Sequence, residues 1–465
     1  MREMKKQDKS GSILLVALIF MFIGFSAAAV SIRNAVHEGR MVKSQISVER
    51  AHYLAEAALE LAAAEVATYT GYIPYGEVSR KQRVPIETGN ANGTYSYVIS
   101  KTAFREYQIH SEGHFGGVTR GISIDRVYKP KLPGYSFWAD DFNGLYYIPG
   151  DVVDGKVYSG TQINIWSSPA STPRGPHFKD EVATGAARFG GLALFAIFDK
   201  PSKFNEHKDP LEDINFENEV KGEARHLGLL ITGPTEVKFP VNTNLNVDGQ
   251  EGEIWLKNPR HFGTNTWQAF PLQDLDLIYI EDDLANNLPG TVTIEGGELD
   301  GIITIYAEDD VTIKNSITMR NDPRDDDSNA PDFNTPSDDL LGIISKDDIW
   351  LDTTWMTSNP DIDLMGAYVA FGTKHGDPSR DKYGNIGVIG HDDTSRGARG
   401  VLHVYGSRNM EQGYPYGNFN LRTGNVLSGY KIQSIFDPRF LDNPPPYSPT
   451  IGREIKFEGW RYARN

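Results

Sequence analysis

The chain has 465 residues, room for two to four ordinary domains or one long repetitive one. Its 46 Lys and Arg stand against 62 Asp and Glu, a net charge of −16. That balance argues against a nucleic-acid binder, which needs basic surface to displace counterions. The absence of cysteine excludes disulfides, thiolate metal sites and a cysteine nucleophile. With 22 Tyr and 22 Phe it is too aromatic for a disordered chain. The 46 Gly and 26 Pro fit many short strands joined by turns.

The N-terminus carries the clearest signal. Residues 1–11 form a short basic leader with Arg2, Lys5, Lys6 and Lys9. From Ser10 to Ile32 the next 23 residues hold no charge, and Ile13 to Ile32 is long enough to cross a bilayer as a helix. The basic flank is expected to stay cytoplasmic, placing the rest outside. Without the leader the chain keeps 42 basic and 60 acidic side chains, a net −18. Three readings compete. One is a secretory signal cut after Ala27-Ala28-Ala29, another an uncut anchor. The third is a prepilin-type leader processed between Gly11 and Ser12.

Beyond the apolar segment, Met41 to Thr68 is rich in Ala, Leu and Glu, all good helix formers. Ile46, Tyr53, Leu54, Ala57, Ala58 and Leu61 recur at helical spacing and are the expected buried face. Ser12 to Tyr69 then reads as one helix about 87 Å long, apolar all round at first and amphipathic afterwards. Gly11-Ser12-Ile13-Leu14-Leu15-Val16-Ala17-Leu18-Ile19 and Ala51-His52-Tyr53-Leu54-Ala55-Glu56-Ala57-Ala58-Leu59-Glu60 carry a family likeness. This profile resembles the N-terminal helix of type IV pilins and pseudopilins, most closely the PilX-like minor pilin subgroup. The resemblance implies processing at Gly11-Ser12 and packing of the helix among other pilin-like subunits. One departure stands out. Val16 occupies the mature fifth position, where major pilins keep a Glu that aligns the incoming subunit.

Three alternating segments follow at Tyr95 to Ser100, Glu106 to Ser111 and Val118 to Val127, punctuated by Gly113 and Gly116-Gly117. They read as an antiparallel meander packed on the helix. After Pro130, Pro133 and Gly134, short strand candidates recur. They include Gly150 to Ser159, Leu277 to Glu281, Thr291 to Glu295, Gly301 to Tyr306, Leu341 to Ile344, Ile362 to Phe371 and Val401 to Tyr405. An acidic turn repeats among them at Glu281-Asp282-Asp283, Glu308-Asp309-Asp310 and Lys346-Asp347-Asp348. Allowing for the loop Asn321 to Asp339, the spacing approaches one coil of a β-solenoid. The fold class is therefore α+β. A long helix with a small antiparallel sheet precedes a mainly-β domain, a right-handed β-helix or solenoid, with a β-sandwich as the alternative. The expected divisions are 1–11 leader, 12–70 helix (12–32 transmembrane), 71–130 sheet, 131–435 solenoid and 436–465 Pro-rich tail. The later part also resembles an uncharacterised domain that often follows PilX-like N-termini. Phe142-Asn143-Gly144 with Gly150 to Ser159, the coil Gly301 to Ile317, and the ending Phe436-Asp437-Pro438-Arg439 through Pro446 carry that likeness.

The candidate chemistry is thin. Adjacent Asp pairs on a strand point to opposite faces, and Asp at turns satisfies backbone donors, so the three pairs read as coil corners. Asn321 to Asp339 holds seven Asp. It reads as a solvated acidic loop, with calcium the alternative ligand. His391-Asp392-Asp393 with Ser395 reads as surface hydrogen bonding, with a base and its orienter as the alternative. Trp255, Trp267, Trp350, Trp355, Tyr279, Tyr368 and Phe371 are expected as stacking along the coils, with an exposed glycan-binding row as the alternative. No catalytic residue, cofactor or metal is expected, and no enzyme. The expected role is a minor pilin-like subunit in the inner membrane. Its outer domain would face a surface glycan or protein ligand. A tethered carbohydrate-binding or carbohydrate-active β-helix protein is the alternative.

Overall fold

The computed structural model describes residues 9–68, 76–80, 86–88, 91–128, 132–208, 216–240, 252–321, 337–356, 358, 360–372, 383–450 and 456–463. The chain divides into two compact units. One holds the long helix, residues 74–128 and residues 456–465, and the other residues 129–455 with 70–73.

The first unit is built on α1 (Lys9–Thr68), 60 residues without a break, about 90 Å long. Antiparallel strands β1 (Gly76–Arg80), β2 (Ile86–Thr88), β3 (Ala91–Ala103), β4 (Glu106–Phe115) and β5 (Val118–Tyr128) follow it. The expected meander is present, with Ile99 opposite Ile109 and Ile109 opposite Ile124. The sheet's last strand is Lys456–Ala463, which pairs antiparallel with β5 from Tyr128↔Lys456 to Gly121↔Ala463. Part of the segment expected as a tail thus returns to this sheet. Residues 129–455 are an insertion between two paired strands.

The face of α1 that meets the sheet keeps Leu54 and Ala58 of the expected one but is turned away from the rest of it. Ser47, Ala51, Leu54, Ala55, Ala58, Leu59, Ala62 and Val66 are buried, whereas Ile46, Tyr53 and Leu61 are exposed. The cause is backbone proximity. A Cβ at Gly113 of β4 would lie 2.0 Å from the Ala51 carbonyl oxygen and 2.5 Å from the Ala55 nitrogen. Only a row of small residues lets a sheet approach a helix so closely, so the alanines win the interface over bulkier apolar side chains. The Tyr97 hydroxyl donates to Glu65 at 2.6 Å, and Arg50 lies over the Phe115 ring.

The second unit is a parallel sheet wound coil on coil around one apolar core. One ladder runs Leu230–Tyr279–Tyr306–Ile344–Val369–Asn409–Trp138–Tyr158–Ala183–Lys203 in register. A second joins Val237, Ile294, Ile313, Leu351 and Val388. A third joins Ile317, Leu364, Val404, Ser434, Val153, Phe178 and Phe198. This parallel pairing is not that of an antiparallel sandwich. Strands such as Leu277–Glu281, Ile302–Ala307 and Leu340–Ser345 are apolar almost throughout because both faces are covered. Ile278, Ile280, Ile303 and Ile305 enter the core. Tyr279 and Tyr306 stack outside it, ring centroids 4.7 Å apart.

The coils are not stacked in chain order. The first, Phe137–Ser159, lies against the last, Ala398–Ile435. From that seam the chain coils away to Phe204. It then passes through α2 (Phe216–His226) to the opposite end at Leu229 and coils back. Long strands turn between ladders at glycine. Gly366 and Gly406, aligned in register, have φ of 138° and 131°, a region other residues avoid.

Gly113→Ala is expected to destabilise the first unit by about 2 kcal/mol or more, since helix and sheet backbones must separate. Hydrogen exchange should quicken in residues 91–128 and stay unchanged in residues 340–370. Unchanged exchange in residues 91–128 would refute the packing argument.

Candidate functional site

Gly11 and Ser12, the expected processing pair, both lie within the first turns of α1. From Leu14 onward the helix is exposed through Leu18, Phe20, Phe22 and Phe25. It is long and apolar enough to cross a membrane, and none of its most apolar stretch is buried. An apolar surface of this kind is stable in lipid or against other apolar helices, not in water. Past Met41 the sheet covers one side only. Val42, Ile46 and Tyr53 stay exposed, and their spacing places them within roughly 40° of one another opposite the covered face; exposed Leu61 lies on its flank, and Arg50 and Glu60 are exposed in the same sector. The helix therefore carries its apolar surface on beyond the bilayer-length segment.

The acidic turns stack as coil corners. Ile280↔Ala307 and Ala307↔Ser345 pairing puts Glu281, Glu308 and Lys346 next in line on successive coils. Their carboxylates accept backbone N–H groups where the ladder turns. Asp282 accepts from Gly290 at 2.6 Å, Asp310 from Asp348 at 3.1 Å, and Asp348 from Asn385 at 2.7 Å. Carboxylate oxygens of Asp309, Asp310 and Asp347 come within 4.8 Å of one another. Asp309 and Asp310 each cap a backbone N–H there.

Glu308 is the most heavily used of these acids. It accepts from Lys221 of α2 at 2.7 Å, from the Tyr279 hydroxyl at 2.7 Å and from the Asp282 N–H at 2.8 Å. Lys221 also reaches Glu281 at 3.1 Å, and Lys346 pairs with Glu217 at 2.9 Å. These ion pairs fix α2 across the coils. Burial works to raise the Glu308 pKa. The Lys221 hydrogen bond, helped by Asp282 and Tyr279, overrides it and holds the carboxyl below its ordinary 4.5.

The other predicted residues do not converge. Asp393 caps Ser395 at 3.1 Å and pairs with Arg396 at 3.3 Å, while the His391 ring lies against Tyr414. His391 and Asp393 form no base–orienter pair. Of the aromatics, Tyr279 and Tyr368 are buried and Trp355 is exposed. Trp350 meets Tyr414 edge-on, and Trp255 and Trp267 lie under Lys238 and Lys257. They form no single row. Residues 322–336 of the acidic loop lie outside the described residues. Its last residue, Asp339, is buried and accepts from Gly301 at 2.7 Å and Asn321 at 3.0 Å. In the distinctive ending, buried Asp437 caps Arg439 and binds its guanidinium at 2.7 Å, and Arg439 donates to the Ser337 carbonyl at 2.6 Å. That motif clamps the chain after its last coil.

Sequence reading missed Arg408, buried at 2% exposure in the seam strand Ala398–Gly413. Its signal is a charge between Ser407 and Asn409 well inside a long strand, whose other charges are Arg399 and Glu411.

No protein-family model matches the chain, and neither does any curated protein. Among solved structures, it is similar to the crystal structure of the competence-associated pilin ComZ from Thermus thermophilus. That match has 12% identity and a TM-score of 0.31, over 90% of this chain and 98% of that one. At that score the likeness carries no argument about function, which rests on the chain's own residues.

Glu308→Gln is expected to cost about 1–2 kcal/mol at pH 7, because Lys221 keeps Glu281 but loses its closer partner. A carboxyl held low stabilises the fold above its ordinary range and ceases to as pH falls through the folded-state value. Denaturant titrations at successive pH values should therefore show a shallower acid-side loss in the variant than in the wild type.

Proposed function

We propose that this chain is a structural subunit of a type IV pilus or related secretion filament, a minor pilin of the PilX-like kind rather than an enzyme. One observation carries the reading. A single helix presents a bilayer-length apolar segment on every side. It then keeps Val42, Ile46 and Tyr53 exposed opposite the face that its own sheet covers. A membrane anchor alone needs only the first part; packing among sister helices uses both.

On this reading the leader is removed between Gly11 and Ser12. The basic flank stays cytoplasmic and the remainder lies outside the inner membrane. The inserted coils, read as a right-handed β-helix in keeping with the hand of parallel crossovers, are the outward-facing domain. Their bulk restricts the subunit to a tip or another sparse position along a filament. The alternative, a tethered carbohydrate-active protein, needs a cleft with two free carboxylates. Here the paired acids accept backbone N–H groups at coil corners.

Photo-cross-linking tests the helix row. A benzophenone side chain at exposed Tyr53 should capture other pilin-like subunits in intact cells, and one at exposed Leu284 of the coil domain should not. Equal capture at both positions, or none at Tyr53 in cells that make filaments, would refute the assignment.

A further inference from the structure

At the seam between first and last coils lies a cavity of about 180 Å³, lined by aromatic rings from both. Arg408 lines it, with its guanidinium 5.3 Å from the centre of the Phe137 ring and 5.1 Å from that of Tyr416. None of its three guanidinium nitrogens hydrogen bonds to any described protein atom. The hydroxyls of Tyr147 and Tyr416, which line the same cavity, are also buried without partners. Asp151 lines it too, but its oxygens accept from the backbone of Ile148 at 2.8 Å and Ile432 at 3.4 Å. The acid is committed to holding the seam.

A buried guanidinium carries five donors and a fixed charge that it cannot shed. Ring faces offset part of that charge but accept none of the N–H groups in full. An unpaired buried charge is costly; the two phenol hydroxyls beside it are likewise without partners among the described residues, and Asp151, the one acid in the lining, already accepts two backbone N–H groups. What fits is an anion. With one Arg and one Asp in the lining, the site favours the smallest added negative charge, a single one. A doubly charged phosphate would bring a second into an aromatic enclosure that already holds Asp151. The volume is slightly above the roughly 150 Å³ of a cavity that accepts benzene. Tyr146 and Phe419, ring centroids 5.8 Å apart, line the same cavity, and Tyr146 is exposed.

We propose that this cavity binds a small organic monocarboxylate with a flat apolar body, its carboxylate held by Arg408 and the hydroxyls of Tyr147 and Tyr416. The ring system of such a ligand lies among Phe137, Phe142 and Tyr146. The site joins residues from opposite ends of the insert's sequence, so the ligand also braces the seam.

The full-length chain in detergent, titrated with sodium benzoate by calorimetry and by thermal unfolding, tests this. Benzoate should bind saturably and raise the Tm. It should bind at least about tenfold more tightly than neutral benzamide, roughly 1.4 kcal/mol, and more tightly than inorganic phosphate. Arg408→Met should unfold at a higher temperature without ligand and lose at least about tenfold in benzoate affinity. Tyr147→Phe, which keeps its ring and its packing, should lose about threefold to tenfold and decides the matter if Arg408→Met does not fold. No saturable benzoate binding to the folded wild type would overturn the proposal. So would equal binding of benzamide, tighter binding of phosphate, or unchanged affinity in Tyr147→Phe.

Discussion

The structure of the inserted domain depends on one constraint: its first coil needs its last coil as a neighbour. Phe137–Asp141 pairs on one side with Val157–Ser159, formed at once, and on the other with residues 408–412, some 270 residues later. Ser136 and Ser434 meet through their hydroxyls at 2.9 Å, and the Phe436 N–H reaches the Asp154 carbonyl at 2.6 Å. The seam is thus polar and specific at its edge and aromatic inside. Closing so long a loop is entropically expensive, and it makes the domain a high-contact-order fold whose completion waits for most of the chain.

Three features follow from the seam. Because the first coil sits mid-stack, the chain must cross from one end to the other, and α2, tied to the coils by its Lys221–Glu308 and Glu217–Lys346 pairs, lies on that path. Because both ends of the insertion leave the stack together, with the Leu132 N–H on the Pro449 carbonyl at 2.8 Å, the chain can return to pair Lys456 with Tyr128. A large domain can then be displayed from a small sheet by two chain segments instead of one. And because a strand with a buried arginine forms one wall of the seam, a donor-rich cavity arises there.

Much of this was legible in residues. The charge-free run, the alanine-rich continuation and the three alternating strands predict α1, β3, β4 and β5 within a few residues. The repeated acidic turn locates the coil corners, because Asp at a turn serves the same backbone donors on each coil. The buried side of α1 was misplaced because hydrophobicity favoured Ile46, Tyr53 and Leu61. The deciding term was backbone proximity at Gly113, which small residues alone permit. Coil order was hidden for another reason. Every coil has similar strands, and nothing local in Phe137–Ser159 says that its partner lies at the far end of the sequence. The same holds for Lys456–Ala463, whose pairing with β5 is set by chain return and not by its own pattern. Arg408 escaped notice because a charged residue in a strand usually faces solvent, and only the closed core turns it inward.

The central claim is that the apolar helix is a packing element freed from a leader and not only an anchor. The most direct measurement is the N-terminal residue of the mature protein, by mass spectrometry of membrane and sheared-surface fractions. The account predicts a chain beginning at Ser12, present in the sheared fraction. A chain beginning at Met1 and confined to membranes would contradict it.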